Sequence, residues 1–288
     1  MVKKMASWMA VILIFGVAFS CKVKTQMKGI DLKIVFSDEE LSEYLMTDVE
    51  YTWTTSGEFE PMDQGLNVFV HFWHRNNLLV QDDHVPEVPT SSWEPEKEYR
   101  YTRRILIPSF IDEFDPAFKG QETLRLTVGF YSPFDRSGES KRDVFEKTFD
   151  VRPKPADTPE IVYEDGWSYV ERNPEAELKE WRWTGKSARC LIDNPRRDAL
   201  LVIQGAVNKD VFDDQRVIFK INDRVLDDFV PEEKYFDKSF DIEKEMLGDA
   251  DLLTLWIETD KTFVPANIDP QSQDDRELGL VVSLIYFR

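Results

Sequence analysis

Three histidines and two aspartates lie within fourteen residues of one another, in a pattern that invites comparison with a metal site. They are His71, His74, Asp82, Asp83 and His84. Zinc accepts imidazole nitrogens and carboxylate oxygens at about 2.0–2.2 Å. On a strand, however, His71 and His74 point to opposite faces because their spacing is odd. We therefore predict no metal and no other cofactor, and we interpret these side chains as local hydrogen-bonding groups.

Two tryptophans, Trp181 and Trp183, are separated by a single arginine, Arg182. On a strand the two tryptophans share one face and Arg182 lies on the other, since side chains alternate. If exposed, the pair would form a stacking platform for sugar rings, whose C–H faces pack on aromatic surfaces. If buried, the pair would belong to a hydrophobic core. The sequence leaves both interpretations open, and the first makes Trp181 and Trp183 candidate glycan-binding residues.

Residue patterns typical of hydrolases and nucleotide-binding enzymes are missing from the sequence. It contains no Gly-x-Ser-x-Gly, no glycine-rich phosphate loop and no His-Glu-x-x-His. Carboxylates are so frequent that some must lie close in space by chance, so their number does not indicate a catalytic pair. We predict no catalytic residues, and we favour a binding protein over an enzyme.

The first twenty-one residues have the pattern of an export signal. A basic start with Lys3 and Lys4 precedes an apolar run over 5–19, which is shorter than the about 20 residues of a membrane span. The run ends in AFSC at 18–21, which resembles the lipobox of bacterial lipoproteins, with phenylalanine where a small residue is usual. The resemblance implies cleavage after residue 20 and attachment of acyl chains such as palmitate to Cys21.

An acylated Cys21 anchors the mature chain to a membrane, because several acyl chains hold a protein to a bilayer almost permanently. The prediction is a cell-envelope lipoprotein that faces the periplasm or the exterior. Lys22 follows the cysteine, which in a Gram-negative cell favours the outer membrane. The segment 21–30 is then a short lipidated tether. Cys190, the other cysteine, is left without a partner, and we expect it to be a buried apolar residue.

Charge excludes one class of partner. The chain carries 36 basic and 55 acidic residues, a net charge of −19. Removal of Lys3 and Lys4 with the leader leaves 34 basic residues against 55 acidic ones, or −21. A charge of this sign repels phosphate backbones, so nucleic-acid binding is not expected.

Alternating and continuous apolar runs predict an all-β chain. Residues 123–131 alternate, with leucine, valine and phenylalanine on one face. The segments 252–258 and 278–287 are apolar on both faces, as expected for central strands of packed sheets. Asn222-Asp223 predicts a hairpin turn. A short helix is expected at 37–44, where Ser37 and Glu40 form a capping box.

Three prolines within 152–159 (RPKPADTP) predict a semi-rigid linker, because proline cannot donate a ladder hydrogen bond. The linker separates two predicted β-sandwich domains, Ig-like or jelly-roll-like, at 31–151 and 160–288. Short strands spaced by roughly ten residues favour such sandwiches.

Several motifs resemble the extracytoplasmic β-sandwich modules attached to bacterial polytopic membrane glycosyltransferases. In the first half they are VFVHF at 68–72, QDDH at 81–84, PTSSWEP at 89–95 and LTVGFY at 126–131. In the second half they are GW at 166–167, WRWT at 181–184 and DRELG at 275–279. The resemblance implies sandwich domains outside the cytoplasm. Those modules contribute no catalytic residues, and this chain lacks the multi-span region that carries transferase chemistry.

The leading hypothesis is a non-enzymatic envelope lipoprotein that binds or scaffolds an envelope component, with glycan as the candidate ligand. The first alternative is a protein-interaction accessory subunit of a membrane glycosyltransferase or secretion complex. The second is a glycan-active enzyme, which would require a deep cleft lined by acids with perturbed pKa values. Within the DRELG motif, we expect Arg276 to pair with a carboxylate and Gly279 to permit close strand approach.

Overall fold

A computed structural model describes residues 27–135, 137–173 and 176–288, with the side chains of 173–179 left out of the description. The predicted leader at 1–20 and Cys21 lie outside these residues. The fold is all-β, as predicted. Its helical elements in the described ranges are a 3₁₀ turn at Thr90–Ser92 and the short helices α1 (Lys244–Leu247) and α2 (Pro265–Ile268). None of the described helices has the length and apolar character needed to span a bilayer.

The N-terminal half forms two sheets that pack face to face. Its strands are β1 (Ile30–Phe36), β2 (Leu41–Ser42), β3 (Leu45–Thr55), β4 (Asn67–His74), β5 (Asn77–Gln81), β6 (Glu98–Ile107), β7 (Glu122–Tyr131) and β8 (Arg142–Arg152). One sheet has the order β1-β3-β6 and the other β2-β8-β7-β4-β5. The inward residues of β7, predicted from their alternation, are all fully buried. The two-residue period of the strand is sufficient to specify that face.

Aromatic side chains fill the core of the N-terminal half. Trp53 and Trp93 lie 5.7 Å apart between ring centroids, and both pack on Phe130. One connected set of polar atoms within this core is paired: the Trp53 indole N–H donates to Tyr101 Oη at 3.2 Å. Tyr101 in turn donates to His84 Nε2 at 2.9 Å. Since the Asp82 carbonyl, 2.8 Å from His84 Nδ1, can only accept, Nδ1 carries the ring proton.

The helix predicted at 37–44 is wrong. Residues 37–40 form bends, and Leu41–Ser42 pairs as a short parallel strand with β8. Leu41 is buried in the core, and Tyr44 has a positive φ of 50°, which no α-helix accepts. The Glu43 carboxylate accepts backbone N–H groups of Phe110 and Ile111 at 2.7 and 2.8 Å. These long-range contacts outweigh the local capping preference of the segment.

The C-terminal half forms a second pair of sheets. Its strands are β9 (Ile161–Tyr163), β10 (Glu171–Asn173), β11 (Ala176–Trp183), β12 (Ser187–Asp193), β13 (Ala199–Ala206), β14 (Val217–Ile221), β15 (Arg224–Phe229), β16 (Tyr235–Ile242), β17 (Leu252–Thr259) and β18 (Val281–Phe287). The sheet orders are β10-β11-β18-β13-β16 and β15-β14-β17-β12-β9. The two segments predicted as central strands, β17 and β18, are central in their sheets.

The core of the C-terminal half is mostly aliphatic. Leucine, isoleucine and valine side chains from both sheets surround Phe219, Phe236 and Phe287. Cys190 is fully buried among them, as expected, and burial raises the pKa of its thiol to about 12. The predicted hairpin is also confirmed: Asn222 adopts a φ of 51° between β14 and β15. The chain thus has two separate hydrophobic cores, while the predicted domain boundaries stay a prediction.

The two halves contact each other through one outer sheet face of each. Met46, Val202 and Tyr286 form a small buried apolar cluster between them. Tyr286 Oη accepts the backbone N–H of Met46 at 3.2 Å. At its edge, Arg104 of β6 donates to Ser239 Oγ of β16 at 2.8 Å. The halves therefore pack directly on each other in addition to being joined by the proline-rich segment.

Candidate functional site

Trp181 and Trp183 lie on the outer face of β11, and Arg182 lies on the opposite face, as the two-residue period predicts. Trp181 donates its indole N–H to Glu171 Oε2 on β10 at 3.1 Å. Trp183 makes an edge contact with Phe263, with 5.8 Å between ring centroids. Both tryptophans are partly exposed, and neither is part of the core cluster. The two rings have different immediate partners, so they do not act as one stacked pair.

A cluster of charged residues lies beside Trp181 and includes its hydrogen-bond acceptor Glu171. Arg276 donates from Nε and NH2 to both carboxylate oxygens of Asp274, at 2.8 and 2.6 Å. Its third nitrogen, NH1, is 3.0 Å from Glu171 Oε1. Hydrogen bonding to Arg276 lowers the pKa of the Asp274 carboxyl and raises that of the guanidinium. Arg276 therefore fixes Glu171, which in turn fixes the Trp181 ring.

Tyr169 completes the aromatic surface. Its side chain is 67% exposed, and the Arg276 guanidinium lies 4.7 Å from its ring centroid. The structural roles predicted for the DRELG motif are both observed. Arg276 binds a carboxylate bidentately, and a Cβ on Gly279 would lie 2.4 Å from the Gly185 carbonyl oxygen. Only glycine permits that approach.

A cavity of about 120 Å³ lies next to this surface, at a gap between β11 and β18. Trp181, Arg182 and Ser283 are among its lining residues, and Tyr163 of the opposite sheet also lines it. The Arg182 guanidinium is 4.6 Å from the Tyr163 ring centroid. Burial raises the pKa of Tyr163 to about 12, so its hydroxyl is neutral and available as a hydrogen-bond donor at physiological pH.

The histidines and aspartates considered for a metal each have separate partners. His71 Nε2 lies 3.0 Å from Asp83 Oδ1, and His74 Nε2 lies 3.1 Å from Glu122 Oε2. His84 is held by Tyr101 and the Asp82 carbonyl, as described above. Across residues 27–135, 137–173 and 176–288, no three His, Cys, Asp or Glu side chains are grouped to hold a metal ion.

Sequence reasoning found Trp181 but missed Tyr169, Glu171 and Tyr163. Glu171 faces Trp181 because β10 and β11 pair with these two residues in register. Tyr163 reaches the cavity from another sheet. The side-chain pattern of these short segments does not by itself fix the register in which β10 pairs with β11.

The molecule was compared with known proteins. No family model matches the chain. No curated protein matches it either. Among solved structures, the secreted serine protease VesC from Vibrio cholerae aligns over 92% of this chain and 52% of its own, with 10% identity and a TM-score of 0.26. A β-sandwich carbohydrate-binding module of promiscuous specificity aligns over 91% of this chain and 99% of its own, with 10% identity and a TM-score of 0.27.

Tripeptidyl peptidase 2 aligns over 91% of this chain and 20% of its own, with 9% identity and a TM-score of 0.22. The chain thus spans about half the length of VesC and a fifth of the peptidase. Similarity this low carries no functional conclusion. The function must be argued from the residues of this chain.

Proposed function

We propose that this protein is a non-enzymatic lipoprotein of the bacterial cell envelope, anchored through Cys21, whose C-terminal half binds glycan at the surface formed by Tyr169, Trp181 and Trp183. The observation that carries the glycan proposal is the partly exposed Trp181 ring, held in place by Glu171 beside an exposed tyrosine.

Ring stacking supplies the apolar part of saccharide binding. The axial C–H groups of a pyranose form an apolar face that packs on an aromatic ring. A ring held by a hydrogen bond loses little conformational entropy on binding, which favours affinity. Trp181 meets this requirement through its 3.1 Å hydrogen bond to Glu171. Tyr169, which is 67% exposed, offers a second ring nearby.

Planar charged groups supply the polar part of saccharide binding. Saccharide hydroxyls donate to carboxylates and accept from guanidinium groups, and such charge-assisted hydrogen bonds are the stronger ones. Glu171, Asp274 and Arg276 present both kinds of group next to the rings. The same pairing argues against glycoside hydrolysis. A general acid needs a raised pKa, whereas Arg276 lowers the pKa of the Asp274 carboxyl.

Glycan binding is tested with the full chain, solubilised in detergent, by affinity electrophoresis through gels that contain envelope polysaccharides. We expect Trp181→Ala to weaken retention about ten-fold or more, since loss of one aromatic contact costs about 1.4 kcal/mol. Trp256→Ala is the matched control, because Trp256 is partly exposed on the other sheet of the same half. If no polysaccharide retains the parent, or if both variants bind equally well, the proposal is wrong.

Anchoring is tested separately in cells. The sequence resemblance of AFSC at 18–21 to a lipobox supports acylation of Cys21. We expect radiolabelled palmitate to be incorporated into the parent and not into a Cys21→Ser variant, which should leave the membrane fraction after a salt wash. A variant that stays as firmly bound as the parent would refute the anchor while leaving the glycan proposal intact.

A further inference from the structure

The cavity beside Trp181 exists because two neighbouring strands separate. In the described part of the chain, β11 and β18 pair only at Arg182–Val282 and Trp183–Val281. Beyond these two positions the strands diverge, at the point where a register irregularity interrupts β13 and β18. Glu180 and Trp181 line one side of the resulting gap, and Ser283 lines the other. The gap opens the sheet toward the space between the two sheets.

Arg182 is held inside this gap by two contacts. Its NH1 donates to the Ser168 carbonyl oxygen at 3.1 Å, and its guanidinium lies on the Tyr163 ring at 4.6 Å. A guanidinium has five N–H donors, so these two contacts use only part of its hydrogen-bonding capacity. The side chain is thus positioned before any ligand arrives.

Three other arginines of the C-terminal half are paired with carboxylates. Arg276 pairs with Asp274 at 2.6 Å, Arg172 with Glu180 at 3.0 Å and Arg189 with Glu164 at 2.7 Å. Within the side chains that the structure describes, Arg182 has no carboxylate within ion-pair distance, although it is half-buried. A partly buried cation without a counter-ion binds an incoming anion more strongly than a solvated one does, because less water must be displaced from it.

We propose that the gap between β11 and β18 binds the anionic substituent of an acidic saccharide, with a carboxylate or sulfate on Arg182 and the sugar ring outside on Trp181. This inference rests on the glycan-binding function proposed above and specifies its ligand class. The volume of about 120 Å³ is below the 300–1,000 Å³ typical of pockets that enclose a whole small molecule. The cavity therefore suits a substituent, while the polymer chain remains on the aromatic surface.

The net charge of −19 does not prevent such binding. At physiological ionic strength, charges more than about 8 Å apart are largely screened, so the groups within the gap decide the local potential. Glu180, the carboxylate on the gap, is held by Arg172 on β10. The planar fork of Arg182 also matches a carboxylate in a way that a single ammonium group cannot.

The test compares three polymers in affinity electrophoresis with the full chain in detergent: alginate, a polyuronate; dextran sulfate; and neutral dextran. We expect at least one anionic polymer to retain the parent more strongly than dextran does. Arg182→Gln should weaken that retention about ten-fold, and Arg182→Lys, which keeps the charge but loses the fork, should weaken it less. Arg224→Gln is the control, since it removes the same charge at an exposed hairpin position.

Each outcome distinguishes this inference from the function on which it rests. Retention by dextran alone, unchanged in Arg182→Gln, overturns the acidic ligand but keeps glycan binding. Equal losses for all three polymers in Arg182→Gln and Arg182→Lys identify a structural role for Arg182 and also overturn it. Equal effects of Arg182→Gln and Arg224→Gln indicate a general charge effect, which overturns it as well. Preference between alginate and dextran sulfate identifies the anionic group.

Discussion

In the N-terminal half, Trp53 and Trp93 lie at the centre of the core, whereas in the C-terminal half Trp181 and Trp183 lie at the surface. The N-terminal half is held by aromatic packing, with the hydrogen bonds that join Trp53, Tyr101 and His84 inside it. The C-terminal half has a mostly aliphatic core and places tryptophan outside. The difference shows that one residue type fills the core in one half and lies partly exposed outside the core in the other.

The largest effect is expected for Trp53→Ala. Trp53 is fully buried and packs on Phe130 with 4.7 Å between ring centroids. Truncation leaves a large cavity and should lower the free energy of unfolding of the N-terminal half by about 3–5 kcal/mol. Urea denaturation followed by circular dichroism measures this loss. A loss below about 1 kcal/mol would contradict the assignment of Trp53 to the core.

Tyr101→Phe tests the polar part of the same core. The substitution keeps the ring but removes the hydroxyl that accepts from Trp53 and donates to His84. Two buried polar atoms then lack a partner, and we expect a loss of about 1–3 kcal/mol in the same denaturation experiment. Tyr99→Phe serves as the control, because the Tyr99 hydroxyl bonds an exposed backbone N–H. An unchanged midpoint for Tyr101→Phe would show that solvent replaces the hydroxyl.

The stability of the N-terminal half should depend on pH through His84. Burial lowers the pKa of His84 below its ordinary 6.5, although hydrogen bonding to Asp82 opposes the shift. The unfolded chain then binds more protons than the folded one, so stability is fully present above pH 6.5 and declines as the pH falls below 6.5 toward the folded pKa. We expect this decline in the N-terminal half, which holds all three histidines. A His84→Asn variant should show a shallower decline; an identical slope would assign the effect to other groups.

The smallest effect on stability is expected for Trp181→Ala. The ring is partly exposed and lies outside the core cluster, so its loss should cost about 1 kcal/mol or less. The measurement is the same urea transition, read for the C-terminal half. A cost of several kcal/mol would erase the contrast with Trp53 and favour a structural role for the surface tryptophans.

Local patterns predicted the strands well and one helix badly. The alternation in β7 and the apolar runs in β17 and β18 identify buried faces because the strand period is fixed by backbone geometry. The capping box at Ser37 did not produce a helix, because Leu41 and Glu43 are used by distant parts of the chain. Capping is worth only about 1 kcal/mol, which such contacts exceed.

The sequence predicted the candidate site only in part, through the fixed two-residue period of a strand. The shared face of Trp181 and Trp183 follows from their spacing alone. Glu171, which bonds Trp181, comes from the neighbouring strand, and Arg276, which pairs with Glu171, comes from a late loop. Tyr163, which contacts Arg182, comes from the opposite sheet. No pattern in a single sequence specifies those approaches, since they depend on register and sheet packing.

The small buried apolar cluster of Met46, Val202 and Tyr286 between the two halves has a mechanical consequence. Because this apolar contact joins the two halves in addition to the proline-rich segment, a force applied at Trp181 reaches the N-terminal half through packed side chains as well as along the chain. In the lipoprotein proposed above, that force would continue to the acyl chains on Cys21.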